Sequence, residues 1–232
     1  MMRSVLTFLA LLAFAGNATA AGKVEFVVGE VSAQAADGSR RTLARGAEIR
    51  PGDTVDTGSG RAQLRFTDGA MVSLSPGTQY RIDAYKFKGQ PDGSEKGFFS
   101  LLKGAMRTIT GAIGKTDRKA YRLDTAVATI GIRGTEYAVA YGNSITATTN
   151  AGSIEVCNSG GCLEVPAGQS AYVKDSATAP VLTTRSAMQP LAPPQPPSPP
   201  GFTAGDNPQV VPPQSPPPYQ PPYQGAPCGR TC

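Results

Sequence analysis

The segment 131–135 combines residue types that bind anions with residues that allow unusual backbone geometry. Its candidate partner-binding residues are Gly131, Arg133, Gly134 and Thr135. The two glycines permit positive φ angles or a close backbone approach, so Arg133 would project from a sharp turn. A guanidinium fixed in this way suits a carboxylate or phosphate of a partner. The alternative is a structural role, with Arg133 bound to Asp124, Glu136 or turn carbonyls.

A basic run occupies 103–122, where only Asp117 opposes the positive charge. Its members are Lys103, Arg107, Lys115, Arg118, Lys119 and Arg122. Such a run can contact anionic lipid, lipopolysaccharide or an acidic protein surface. The alternative is a solvated loop and strand face. Lys103 and Arg107 complete the set of candidate partner-binding residues.

Residues that would support catalysis are scarce. The chain has no His, which excludes Ser-His-Asp and Cys-His nucleophiles and removes the commonest metal ligand. Asp53 and Asp68 stand in turn contexts, where Asp is favoured for local hydrogen bonds. EF-hand spacing and phosphate-binding Gly fingerprints are absent. The sequence therefore predicts no enzyme, no metal site and no cofactor.

The four Cys residues form two close pairs, Cys157 with Cys162 and Cys228 with Cys232. Neither pair has the C-x-x-C spacing of a redox motif, and close pairs in an oxidising compartment usually form disulfides. The first pair would join the two ends of a tight β-turn. We predict a Cys157–Cys162 disulfide. The second pair could close on itself or cross-link to a partner.

The N-terminus reads as a secretory signal peptide. Arg3 precedes an apolar run over 5–15, and a small-residue site ends at Ala20. The run is too short for a membrane helix, which needs roughly 20 residues. We predict cleavage before Ala21 and a mature chain that does not span the membrane. The expected location is the periplasm, with the cell surface or secretion as alternatives. This location disfavours nucleic acid as a partner.

Composition divides the rest of the chain into two regions. From Pro190 to the end, sixteen of forty-three residues are Pro, and such a segment cannot bury enough apolar surface to offset its ordering entropy. The predicted organisation is a signal peptide at 1–20, a β domain at 21–178 and a disordered Pro-rich tail at 179–232.

The middle region has a β pattern throughout. Residues 61–67 alternate polar and apolar types, and Asp68-Gly69 predicts a two-residue hairpin loop before a return strand at 71–74. Residues 75–78 have the Pro-Gly centre of a type II turn. The one helical candidate, 98–113, is interrupted by Gly and Thr and is better read as strands. We predict an all-β fold of stacked hairpins in a solenoid-like β-roll, with a β-sandwich as the alternative.

Five stretches of the domain resemble the periplasmic FecR-type domain: 28–31, 43–46, 51–58, 62–69 and 124–136. The last, Asp-Thr-Ala-Val-Ala-Thr-Ile-Gly-Ile-Arg-Gly-Thr-Glu, is the most specific. The resemblance implies a β-rich, solenoid-like module that senses or binds other envelope proteins. Known members relay receptor occupancy to a cytoplasmic sigma factor through an anti-sigma segment and a membrane helix, and this sequence shows a signal peptide in their place.

Two function classes follow. The first is a non-enzymatic periplasmic interaction or sensing module of the FecR type, whose partner is an envelope receptor or membrane sensor. The second is an envelope structural protein that binds peptidoglycan or another anionic surface.

Overall fold

In the computed structural model, residues 19–183 are described, and nearly all regular structure in them is β-strand. One short helix, α1, spans Ala112–Thr116, and one 3₁₀ turn spans Arg118–Ala120. The strands are β1 (Gly22–Val28), β2 (Ser32–Gln34), β3 (Arg40–Thr42), β4 (Glu48–Ile49), β5 (Thr54–Asp56), β6 (Arg61–Phe66), β7 (Met71–Leu74), β8 (Gln79–Lys86), β9 (Lys96–Ile109), β10 (Tyr121–Asp124), β11 (Thr129–Ile132), β12 (Glu136–Tyr141), β13 (Ile145–Ala151), β14 (Ser153–Asn158), β15 (Gly161–Pro166), β16 (Ser170–Val173) and β17 (Val181–Thr183).

The strands form two sheets that have β9 in common. Sheet A has the order β4-β1-β6-β7-β9-β12-β13-β16-β17. Sheet B has the order β3-β2-β5-β8-β9-β10-β11-β14-β15. The chain crosses repeatedly from one sheet to the other. Within each sheet the strands follow chain order, except that β4 lies outside β1 and β3 lies outside β2. The all-β prediction is confirmed, and the crossings give the solenoid-like roll that the sequence indicated.

The inner faces of the two sheets enclose one apolar core. The alternation over 61–66 is confirmed, because Ala62, Leu64 and Phe66 of β6 are buried while Arg61 and Arg65 are exposed. The ring of Phe66 in sheet A lies 5.2 Å from the ring of Phe99 in sheet B. Aromatic side chains therefore join the two layers directly, at a separation typical of favourable ring pairs.

The longest strand, β9, passes from one sheet into the other. Its first part pairs with β8 and β10 in sheet B, and its second part pairs with β7 and β12 in sheet A. The bend falls at Gly104, whose φ is +92° and where an added Cβ would lie 2.5 Å from the Cα of Thr78. Only Gly fits there. The preference for strands over helix at 98–113 is confirmed, apart from the start of α1.

After β9 the chain must return to sheet B, because β10 pairs with β9 in parallel. A parallel neighbour requires a crossover connection, and here α1 and the 3₁₀ turn supply it. Ile113 of α1 is buried and lies beside Gly97 of β9. The crossover is thereby held against the end of the core, which leaves its polar residues at the surface.

One local prediction needs correction. The loop at Asp68-Gly69 has three residues rather than two, since the Phe66 N–H donates to the Ala70 carbonyl (2.9 Å) and Gly69 has a φ of +86°. A left-handed Gly closing a type I turn produces this longer loop. Strand β17 continues sheet A to Thr183, beyond residue 178, where the predicted β domain ends.

The predicted signal peptide at 1–20 lies almost wholly outside the described residues, as do Cys228, Cys232 and the tail beyond Thr183. Among residues 19–183, no helix has the length and apolar character needed to cross a bilayer.

Candidate functional site

The segment that carries Arg133 forms a corner where the chain leaves β11 in sheet B and enters β12 in sheet A. Gly131 lies in β11 opposite Glu155, and Gly134 has a φ of +65° at the corner itself. The Arg133 N–H donates to the Ser153 carbonyl at 2.9 Å. The backbone beneath the Arg133 side chain is therefore fixed by a neighbouring corner.

The Arg133 side chain is 42% exposed, and one of its Nη atoms lies 3.5 Å from a carboxylate oxygen of Glu164. Ser153 Oγ donates to the same oxygen at 3.1 Å. Arg133 is thus paired with Glu164, and not with Asp124 or Glu136, the two acids considered from the sequence. Because the pair is exposed and monodentate, most of the guanidinium donors stay available to a partner.

Thr135 stabilises the corner from its buried side. It is buried, and its N–H donates to Thr110 Oγ1 at 3.0 Å, while that hydroxyl donates back to the Thr135 carbonyl at 3.0 Å. Gly152 lies so close that a Cβ there would be 2.3 Å from the Gly134 carbonyl oxygen. Thr135 is therefore a buried support for the corner, whereas Gly134 is exposed beside Arg133.

Arg107 lies beside the corner on the outer face of sheet A. Its guanidinium binds Glu136 through Nε and Nη2, with an Nε–Oε1 distance of 3.0 Å, and Asn150 donates to the same oxygen at 3.2 Å. Glu136 follows the corner directly. The structure therefore brings Arg107 near Arg133, but it ties each arginine to its own acid.

Lys103 lies elsewhere, in the part of β9 that belongs to sheet B and opposite Gln79. Its charge acts on Asp56. The pKa of Asp56 is lowered, first by the hydrogen bond from Gln79 (2.8 Å) and further by the nearby Lys103. Lys103 is thus separated from the corner that holds Arg133.

The remaining basic residues of 103–122 also divide. Arg122 binds Asp124 at 2.7 Å and lies over the ring of Phe98, with its Cζ atom 4.8 Å from the centroid. The exposed residues of the crossover that have no ion pair within 19–183 are Lys115, Arg118 and Lys119. The basic residues that are continuous in sequence therefore lie in four separate environments.

Two cations that sequence reasoning missed lie next to this crossover. Lys86 of β8 and Lys96 of β9 are exposed and directly opposite each other across the two strands. Alternation along 96–101 could have placed Lys96 on the outer face of sheet B, whereas strict alternation from the buried Tyr80 and Ile82 would have turned Lys86 inward. The register that makes them neighbours depends on two β-bulges in the β8–β9 pair, which the sequence did not reveal.

The disulfide between Cys157 and Cys162 is confirmed. The two residues are opposite each other in the β14–β15 hairpin. The tip of this hairpin contacts the loop before β17, because Asn158 Nδ2 donates to the carbonyls of Asp175 (2.9 Å) and Thr178 (2.7 Å). The disulfide therefore reinforces a hairpin that is already held at its tip.

We expect replacement of both cysteines by Ser to lower the free energy of unfolding by about 2 kcal/mol, because the closed loop is short. Urea denaturation of the double variant, compared with the wild-type protein under oxidising and reducing conditions, measures this. Reduction should move the wild-type curve onto that of the variant. A loss above about 4 kcal/mol would contradict the short-loop argument.

Comparison with known proteins gives a family and two distant structural likenesses. Residues 53–155 match the family model described as FecR protein. No curated protein matches the chain. Two crystal structures of a candidate anti-sigma factor from Parabacteroides distasonis, at 1.65 and 2.50 Å resolution, align with a TM-score of 0.43 and identities of 13% and 15%. Each alignment covers 56% of this chain and 57% of that chain, so little more than half of the other protein is represented. The family match includes the Arg133 corner, so this corner lies in the part of the chain that is similar to the FecR protein family.

Proposed function

We propose that the protein is a non-enzymatic periplasmic module that senses or transmits a signal by binding another envelope protein. The signal peptide read from the sequence supports export, and the FecR match supports a regulatory role. On this proposal residues 21–183 form the binding domain, and the Pro-rich residues beyond them act as a spacer or a second contact.

The observation that carries the proposal is the exposed Arg133 on a rigid corner. Its backbone is held by Ser153, and the adjacent Thr135 is held by Thr110. A binding residue on a fixed scaffold loses little entropy when a partner docks. Its only ion-pair neighbour within residues 19–183, Glu164, is 53% exposed and can be displaced. An acidic group on a partner protein fits this site.

We expect Arg133→Ala to abolish capture of the partner while leaving the fold intact. The exposed Arg133–Glu164 pair contributes at most about 1 kcal/mol, so the melting temperature should scarcely change. The measurement is cross-linking in intact cells with a tagged protein, followed by mass spectrometry, together with thermal unfolding of the purified variant.

Arg61→Ala is the matched control, because Arg61 is also exposed but lies on β6, separated from β12 by β7 and β9. Capture of one envelope receptor or sensor that persists in the Arg61 variant and disappears in the Arg133 variant supports the proposal. Unchanged capture with Arg133→Ala, or collapse of the melting temperature, would show that Arg133 does not act as the contact.

A further inference from the structure

One surface of the domain concentrates positively charged side chains that form no ion pairs. We call it the lysine patch and define it as Lys86, Lys96, Lys115, Arg118 and Lys119. All five side chains are exposed, and none forms an ion pair with any residue from 19 to 183.

The topology brings these residues together from three elements. Lys86 and Lys96 are opposite in the β8–β9 pair. Tyr121 pairs with Gly97 in the parallel register, so the 3₁₀ turn that ends at Ala120 lies beside Lys96. Ile113 of α1 packs near Gly97, which brings Lys115 to the same end of β9.

The acids around the patch are already engaged. Asp92 is bound to Lys88, and Asp124 is bound to Arg122. Asp83 binds Arg81 and accepts from Ser100. The two remaining acids also accept backbone hydrogen bonds: Glu95 from Gly93 (3.0 Å) and Asp117 from Lys119 (2.9 Å). The five cations of the patch therefore exceed the two neighbouring acids that form no ion pair, Glu95 and Asp117, by three charges.

The pairing of Lys86 with Lys96 across the two strands destabilises the folded state. Like charges directly opposite each other on one face of an antiparallel pair destabilise it. Neighbouring positions of the same sheet avoid this cost, since Arg81 lies beside Asp83 and Arg122 beside Asp124. A repulsive pair at the surface is expected where the charge serves binding.

The side chains of the patch indicate the class of ligand. Protein interfaces are centred on buried apolar or aromatic anchors, and the large exposed apolar residues of the described chain all lie outside the patch: Val28, Leu102, Ile109, Tyr172, Val181 and Leu182. Four of the five cations are lysines, which bind phosphates as point charges without a fixed geometry. An array of phosphates on a surface matches this chemistry better than a folded acidic protein.

We propose that the lysine patch docks the domain onto a membrane surface rich in anionic lipid phosphates. This inference goes beyond the proposed function, because it uses neither Arg133 nor a protein partner. The Arg133 corner adjoins this surface, because Ile132, the residue before Arg133, lies against Gly114 of α1.

The test is co-sedimentation of residues 21–232 with phosphatidylglycerol–phosphatidylcholine vesicles and with pure phosphatidylcholine vesicles. Removal of 1–20 leaves every strand intact and eliminates binding by the apolar N-terminal run. We expect binding to the anionic vesicles alone, weakened by salt. Each Lys→Gln change in the patch should lower the partition coefficient about fivefold.

Lys86→Gln/Lys96→Gln is compared with Lys23→Gln/Lys174→Gln, which removes the same charge at exposed positions in β1 and after β16. Loss with the first pair and retention with the second supports the proposal. Absence of binding, or equal loss with both pairs, overturns it. Lys96→Glu adds a second readout: it should raise the melting temperature by relieving the repulsion while it weakens vesicle binding.

Discussion

Replacement of Gly104 by Ala is expected to be among the most damaging single changes in this domain. The left-handed backbone at a φ of +92° costs a non-Gly residue about 1–2 kcal/mol. The added methyl would also lie 2.5 Å from both the Cα and the Oγ1 of Thr78, so the backbone of the adjacent corner would have to move. We expect the free energy of unfolding to fall by about 3–5 kcal/mol in urea denaturation.

Gly38→Ala is the control that separates the two causes. Gly38 has a φ of +85°, but a Cβ there would have no neighbour within 4 Å. We expect a loss of only about 1–2 kcal/mol. Equal losses for the two variants would mean that the close approach between Gly104 and Thr78 has no energetic importance.

The second large loss of stability is expected from Arg41→Ala, in the edge strand β3 of sheet B. Asp53 is 2% exposed, and its carboxylate accepts from both Nη atoms of Arg41, with an Nη1–Oδ1 distance of 3.0 Å, and from the Arg50 N–H at 2.7 Å. The hydrogen bonds to Asp53 are the main cause that raises the pKa of Arg41. Without Arg41 a buried carboxylate loses its counter-charge, and we expect a loss of about 3 kcal/mol by chemical denaturation.

Arg50→Ala tests the same neighbourhood without breaking a buried pair. Arg50 binds Glu48 at 3.0 Å, but both side chains are more than half exposed, so the expected loss is below about 1 kcal/mol. A loss as large as that of Arg41→Ala would show that burial of Asp53 is not what makes the Arg41 contact important.

The strand content and the positions of the turns were predictable because local sequence patterns determine them. The alternation over 61–66 fixed which side of β6 faces the core, and the Gly-rich turns marked the strand ends. The crossing of β9 between sheets was not predictable. It depends on a bend at one Gly and on which strands become its neighbours, and both are properties of the assembled stack.

The candidate site was predictable only in part. The Gly-flanked Arg133 was found from its spacing, and it does lie at an exposed corner. Its partner Glu164 was missed, because it is distant in sequence and comes close only through the β11–β14–β15 pairing. Lys86 and Lys96 were missed for the same reason. Cross-strand neighbours depend on register, which bulges can shift by a residue without a clear signal in the sequence.

The position of β9 in both sheets has a consequence for how the protein folds. The pairing partners of β9 include β7 and β8 before it and β10 and β12 after it. The pairing of β9 is complete only when residues up to 141 are available, and the layers themselves end at Pro166 and Thr183. We therefore expect one cooperative unfolding transition for the whole domain and slow folding dominated by non-local contacts. We expect such a chain to stay unfolded while it is incomplete, and the proposed export would make use of that unfolded state.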